Sequence, residues 1–303
     1  MKRLKKTGLF MLLIISILSV SYCTSNTAQN QSQDSDSTEL DQIQDETGKI
    51  PFDFPQAKLQ AEIGDYVLVP SYKMWQTNIE DENPSKKTYI FYAYTLSKIG
   101  KYESTVKFTF DGEQLMPNSV IIPIPQEQTA KKGDIVLTWW QTGSGMQRAI
   151  VVDDANPKKP KVMYLDLDYD NPAKDNESGK TIGQTVYALK ENSFVKLNET
   201  WTSGNMIAVK EGKEWVSSQI INIADDKILC LGFAGKMSVY SKSDCVLIPL
   251  YPEVNEGDVV MADFAGKFKE FTVTKVDEKI GRVFVEQFGK IKAIPFGKII
   301  KEL

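Results

Sequence analysis

Four times along this chain a glycine and a short polar residue open an apolar run. The openings are Gly64-Asp65-Tyr66-Val67-Leu68-Val69, Gly133-Asp134-Ile135-Val136-Leu137-Thr138, Gly204-Asn205-Met206-Ile207-Ala208-Val209 and Gly257-Asp258-Val259-Val260-Met261-Ala262. Self-similarity at such spacing is the mark of a string of small alike units. The closings echo one another too: Pro117-Asn118-Ser119-Val120-Ile121-Ile122, Glu191-Asn192-Ser193-Phe194-Val195, Lys242-Ser243-Asp244-Cys245-Val246-Leu247 and Pro295-Phe296-Gly297-Lys298-Ile299-Ile300. Each is a polar turn followed by an apolar strand. Residues 257–303 show the whole unit most clearly, as five short strands cut by Gly-Lys and polar turns.

A Gly-Asp pair starts a strand from a tight turn. In the run that follows, alternate residues fall on opposite faces. Val67, Val136, Ile207 and Val260 share one register, followed two residues on by Val69, Thr138, Val209 and Ala262. That predicts a recurring inward face. Val, Ile, Phe, Tyr and Thr dominate the later runs, as half-buried strands prefer. No long segment has a 3.6-residue period; residues 55–63 offer one or two helical turns. Closing so short a sheet on itself would remove its exposed edges.

The pattern resembles SH3-like barrels, and among them the Tudor type. The fourth unit carries Gly-Asp-x-Val-x-Ala-x-aromatic ending at Phe264, and the second matches from Gly133 to Trp140. The resemblance implies an all-β fold of four tandem five-stranded barrels, at residues 56–126, 127–199, 200–251 and 252–303. A single large β-sandwich in two halves is the alternative. Tudor barrels hold methylated side chains in an aromatic cage, where ring faces attract a cation. Phe264 and Phe288 map to two cage positions, but Lys269 stands where another aromatic belongs. In the second unit Trp140 maps to the first position and Gln147 replaces the second. The resemblance therefore carries over the fold and not the ligand.

The N-terminus narrows the setting. Lys2, Arg3, Lys5 and Lys6 precede an apolar run at residues 8–20, which is signal-peptide length. The run ends Leu18-Ser19-Val20-Ser21-Tyr22-Cys23. This resembles the lipobox of bacterial lipoproteins, whose cysteine becomes the lipidated first residue. Tyr22 stands where a small residue is usual, a looseness shared by spirochaete lipoproteins. The resemblance implies a signal peptide at 1–22, lipidation of Cys23 and a tether at 23–55. An ordinary secretory signal or an uncleaved anchor are the alternatives. From Thr24 to about Lys49 the chain is polar and nearly devoid of large apolar residues, too poor to offset its ordering entropy. By analogy with envelope sorting, Thr24 rather than aspartate after the cysteine points to the outer membrane.

Charge and composition exclude several classes. The first 22 residues hold four of the 36 bases and none of the 40 acids, so the remainder carries 32 against 40, or −8. An acidic chain without a basic patch is a poor nucleic-acid binder. The chain has no histidine. Ser-His-Asp and Cys-His catalysis and histidine-ligated zinc are thereby excluded.

Several residues remain as candidate sites. Trp139 and Trp140 are adjacent in one strand, so they face opposite ways and one is expected at a barrel mouth or between barrels. Both, with Phe264 and Phe288, are candidates for ligand contact. Asp166, Asp168, Asp170 and Glu177 have the spacing of a calcium loop, with Asn171 in place of its glycine. The same acids also fit the solvated face of a strand and a polar loop. Cys230 and Cys245 are either a disulfide or two small buried apolar residues. Tyr89, Phe91, Tyr92, Tyr94, Tyr102, Phe108 and Phe110 crowd the first unit as core or as a sticky surface. The expectation is a non-enzymatic, membrane-tethered binding or scaffolding module for a protein or cell-wall polymer. The alternatives are a carboxylate-dependent glycan enzyme using Asp153 and Asp154 or the Asp166 cluster, and a plain structural spacer. No cofactor is expected beyond the calcium considered above.

Overall fold

The computed structural model describes residues 48–141, 145–167, 186–287 and 289–303. They belong to one compact unit, 44–303. The fold is all-β and antiparallel, and the twenty strands among the described residues fall into four segments of five. The first holds β1 (Tyr66–Pro70), β2 (Phe91–Ile99), β3 (Glu103–Phe108), β4 (Gly112–Pro117) and β5 (Ile122–Ile124). The second holds β6 (Ile135–Trp139), β7 (Met146–Asp153), β8 (Lys161–Tyr164), β9 (Tyr187–Ala188) and β10 (Val195–Lys196). The third holds β11 (Met206–Glu211), β12 (Glu214–Ala224), β13 (Lys227–Gly232), β14 (Met237–Ser241) and β15 (Cys245–Leu247). The fourth holds β16 (Val259–Phe264), β17 (Lys267–Asp277), β18 (Arg282–Gln287), β19 (Lys290–Pro295) and β20 (Ile299–Ile300). In every segment the first strand lies between the second and the fifth, and the third and fourth follow outward from the second.

The recurring opening has one physical cause. Gly64, Gly133, Gly204 and Gly257 have φ of 96, 92, 94 and 90°. That is the left-handed region, which glycine alone enters without strain. From it each glycine N–H reaches the second strand, at the carbonyls of Leu96, Val151, Ile220 and Val273, 2.8–2.9 Å away. The next residue's carbonyl accepts the N–H of that same second-strand residue. In three segments the aspartate closes the turn: Asp65, Asp134 and Asp258 accept the N–H of Glu62, Lys131 and Asn255. Asn205 instead donates to the carbonyls of Asn198 and Thr200. Just beyond, the second strand is bulged in all four, at Leu96/Lys98, Val151/Asp153, Ile220/Asn222 and Val273/Lys275. A bulge bends and twists a strand, so one long strand can serve both ends of a small curled sheet.

Two expectations are corrected here. Among the described residues no ladder joins the fourth strand of a segment to its fifth, so the sheets are open rather than closed barrels. The segments also pack on one another. The first strands do not simply alternate between core and water: Val67 to Val69, Ile135 to Thr138 and Ile207 to Val209 are all fully buried. Val136 packs within its own segment against Ala149, Val151 and Val162, as Ile207 and Val209 pack against Ile220 and Ile228. The other face serves a second core. Ile135 and Leu137 belong to a cluster that draws residues from all four segments, including Leu68, Leu229 and Val283. A strand buried on both faces reads as a continuous apolar run, which is what Ile-Val-Leu is.

Direct ties reinforce the shared core. Val216 of β12 pairs with Lys267 of β17, which joins the third and fourth sheets. Thr88 bridges to Lys236, and Asn222 donates to the Ser119 carbonyl, both between the first and third segments. The one α-helix among the described residues, α1 (Tyr72–Ile79), lies in the long β1–β2 connection and not at residues 55–63. It seats Trp75, which is 4% exposed, against Tyr89 at a centroid distance of 5.9 Å.

Candidate functional site

The end of β8, the β16–β17 turn and β19 come together around a cleft of about 420 Å³. Asp166 and Leu167 form one wall, Asp263 and Phe264 another, and Lys292 and Lys298 a third; Phe233 of the third segment stands at the rim. Two sequence candidates, Asp166 and Phe264, are thus brought to one place.

Behind Asp166 lies Arg148 of β7, fully buried. Its Nη2 donates to Asp166 Oδ1 at 2.7 Å and its Nε to Oδ2 at 3.0 Å, the fork geometry that suits a guanidinium to a carboxylate. The Arg148 backbone N–H donates to Oδ2 as well, at 2.9 Å. The remaining arm, Nη1, crosses to the fourth segment and donates to the Phe296 carbonyl at 2.9 Å. Gly297 makes this approach possible: at φ 75° it has no side chain, and a methyl there would overlap Arg148 Nη1. The exchange is mutual. Arg282 of β18, 2% exposed, donates from Nη2 to the Tyr164 carbonyl of the second segment at 3.0 Å.

Lys298 sits 3.5 Å from Asp166 and completes its surroundings. Burial alone would raise the Asp166 carboxyl pKa. The charges of Arg148 and Lys298, with the hydrogen bonds from Arg148, outweigh that and hold it well below the usual carboxylate range. Asp166 is therefore a fixed anion and a poor proton donor or acceptor near neutral pH. Asp263 is also engaged, since its Oδ1 accepts the Gly266 N–H at 2.8 Å. Phe264 packs edge-on to Phe271, and the Lys292 ammonium lies 4.2 Å from the centre of its ring. Among the described residues Lys292 has no carboxylate partner.

The other candidates lie elsewhere. Trp139 packs against Tyr66 of the first segment, with ring centroids 5.0 Å apart and planes tilted by 53°, between segments. Trp140 turns the other way, onto the core of the second segment, with its Nε1 buried and unpartnered among the described residues. Cys23, Asp168, Asp170, Glu177 and Phe288 lie outside the described residues. Of the calcium-spaced acids only Asp166 is among the described residues, and both of its oxygens accept from Arg148. Cys230 and Cys245 are free thiols, so the disulfide alternative is not the form present. Both sit in the third segment's core, where Cys230 Sγ turns to the Ile228 carbonyl and Cys245 Sγ to that of Ser241. Asp153 pairs with Lys161 at 2.8 Å, and Asp154 accepts the Lys132 N–H. In the first segment Tyr89, Phe91 and Phe108 are buried, whereas Phe110 is 94% exposed.

A second hollow of about 930 Å³ lies over Tyr251 and Val254, with Lys132, Lys279 and Lys301 balanced by Glu199, Glu253 and Glu278. Sequence reading did not find Arg148, Arg282, Lys292 or Lys298. Arg148 left one signal, a cation set in the apolar run Met146 to Val151. Comparison with family models and with curated proteins finds no match.

Proposed function

We propose that the chain is a lipid-anchored envelope protein, held through Cys23 in the outer membrane, that binds a protein or cell-wall polymer and catalyses no reaction. The finer architecture belongs to the same proposal: each segment is an SH3-like barrel of the Tudor type, curled but unclosed. Support comes from the common strand order and from the glycine turn and bulge that recur in all four. The observation that carries the binding reading is the cleft of about 420 Å³ where three segments meet. It combines aromatic faces with fixed charges, and its Asp166 is locked by Arg148 and so unsuited to acid–base work.

The test has two arms. Fatty-acid labelling in a bacterial host should mark the full chain and not Cys23→Ala. Photo-crosslinking in whole envelopes, from a probe beside Phe264, should trap one discrete partner, with Phe264→Ser abolishing it and Phe110→Ser leaving it intact. Trapping of bulk lipid alone, or equal trapping by both variants, overturns the binding reading.

A further inference from the structure

The first segment carries aromatic groups that the shared fold does not ask for. Opposite Val67 and Val69 of β1 stand Tyr94 and Tyr92 of β2. The matching second-strand positions hold Ala149 and Gln147 in the second segment, Ser218 and Val216 in the third, and Phe271 and Lys269 in the fourth. The tyrosine pair is therefore peculiar to the first sheet, and its members, two residues apart on one strand, share a face. The helix α1 is peculiar to it as well: β11–β12 and β16–β17 are joined by two residues each. The start of α1 brings Tyr72 to within 5.5 Å of Phe108, which lies 4.5 Å from Tyr94, itself 6.4 Å from Tyr92, between ring centroids. The result is a run of four rings, with neighbouring planes tilted by 44, 52 and 56°. Phe108 is buried and the three tyrosines are partly exposed.

The hydroxyls of this run are only partly spent. Tyr72 Oη accepts from Gln76 Nε2 at 2.7 Å, which fixes that ring on the helix. Among the described residues the Tyr92 and Tyr94 hydroxyls have no hydrogen-bond partner. Burial, with Tyr92 and Asp111 close by, raises the Tyr94 pKa, so its hydroxyl stays protonated and can donate. Ring faces edged by hydroxyls match a ligand of the same build. A pyranose ring has an apolar C–H face, which suits the negative face of an aromatic ring, and a rim of hydroxyls that give and take hydrogen bonds. A curved run of several rings suits a chain of such units better than a single side chain. We infer that Tyr72, Tyr92 and Tyr94 form a second binding site for a neutral pyranose chain, with sugar faces on the tyrosine rings and sugar hydroxyls at the phenol hydroxyls. This site lies in the first segment and does not rest on the reading of the cleft.

The test is calorimetric titration of the full chain in detergent with chitohexaose, cellohexaose and maltohexaose, and with choline and a Phe-rich hexapeptide as the competing ligand classes. At least one of the neutral sugars should bind, and its affinity should survive high salt, since no charge on the ligand is there to be screened. Tyr94→Ala and Tyr92→Ala should each weaken it tenfold or more. Tyr94→Phe, which keeps the ring and loses the hydroxyl, should weaken it less than Tyr94→Ala. Phe264→Ser, in the cleft, should change nothing. Tyr92 lies outside the shared core, so Tyr92→Ala decides the matter where Tyr94→Ala does not fold. Binding of none of the three sugars, binding lost at high salt, or no loss in folded Tyr92→Ala overturns the inference. Binding of choline or of the hexapeptide without a sugar overturns it too. A crosslink at Phe264 without sugar binding removes this site and leaves the cleft reading in place; sugar binding without that crosslink does the reverse.

Discussion

Replacing Arg148 by methionine is the sharpest perturbation the structure offers. The guanidinium is fully buried and makes two charge-assisted bonds to Asp166 and one to the Phe296 carbonyl. Methionine fills much of the volume, so the loss is electrostatic. It leaves a largely buried carboxylate and a carbonyl without their partner. Breaking one side of such a pair costs about 3–5 kcal/mol. Lys298 at 3.5 Å remains for Asp166, which is 16% exposed, so the lower end applies. At roughly 3 °C per kcal/mol for a body of this size, Tm should fall by about 9 °C. Removing both partners, as Arg148→Met with Asp166→Leu, should recover most of that loss, because no uncompensated charge is left. The pH dependence follows from the lowered Asp166 pKa. A carboxyl held below its ordinary value of 3.8 stabilises the fold fully above that value. The contribution is lost as pH falls through the folded-state value. In Arg148→Met the hold is largely gone, so the gap between wild type and variant should narrow from pH 5 to pH 2. Urea unfolding followed by tryptophan fluorescence at several pH values measures both effects. A gap under about 1 kcal/mol at pH 7, a flat gap down to pH 2, or a double variant no better than the single would refute the reasoning.

Trp139→Ala removes the ring that packs against Tyr66 across two segments; because it is only half-buried the expected loss is about 2 kcal/mol, read as an earlier urea midpoint. Cys230 and Cys245 should resist a thiol reagent at pH 8 in the native state and both react after unfolding. Burial raises both thiols, Cys245 to about 11; fast native labelling would contradict this, and a mass two units low would reveal a disulfide.

Much of the architecture is legible along the chain because its cause is local. The turn at Gly64, Gly133, Gly204 and Gly257 needs a residue free to take positive φ, and the neighbouring aspartates close it from three residues away. Such interactions leave their mark in short words of sequence, and those words set the number of units, their order and their strand content. The cleft left almost none. Arg148 and Asp166 are 18 residues apart, and Arg148 and Phe296 are 148 apart. Whether an apolar strand face meets water or a neighbouring segment depends on packing between segments, which alternation within one strand does not encode. That is why the chain announced four small β-units, while their docking around one core, the buried arginines that cross between them and the cleft at their junction arose only from long-range packing.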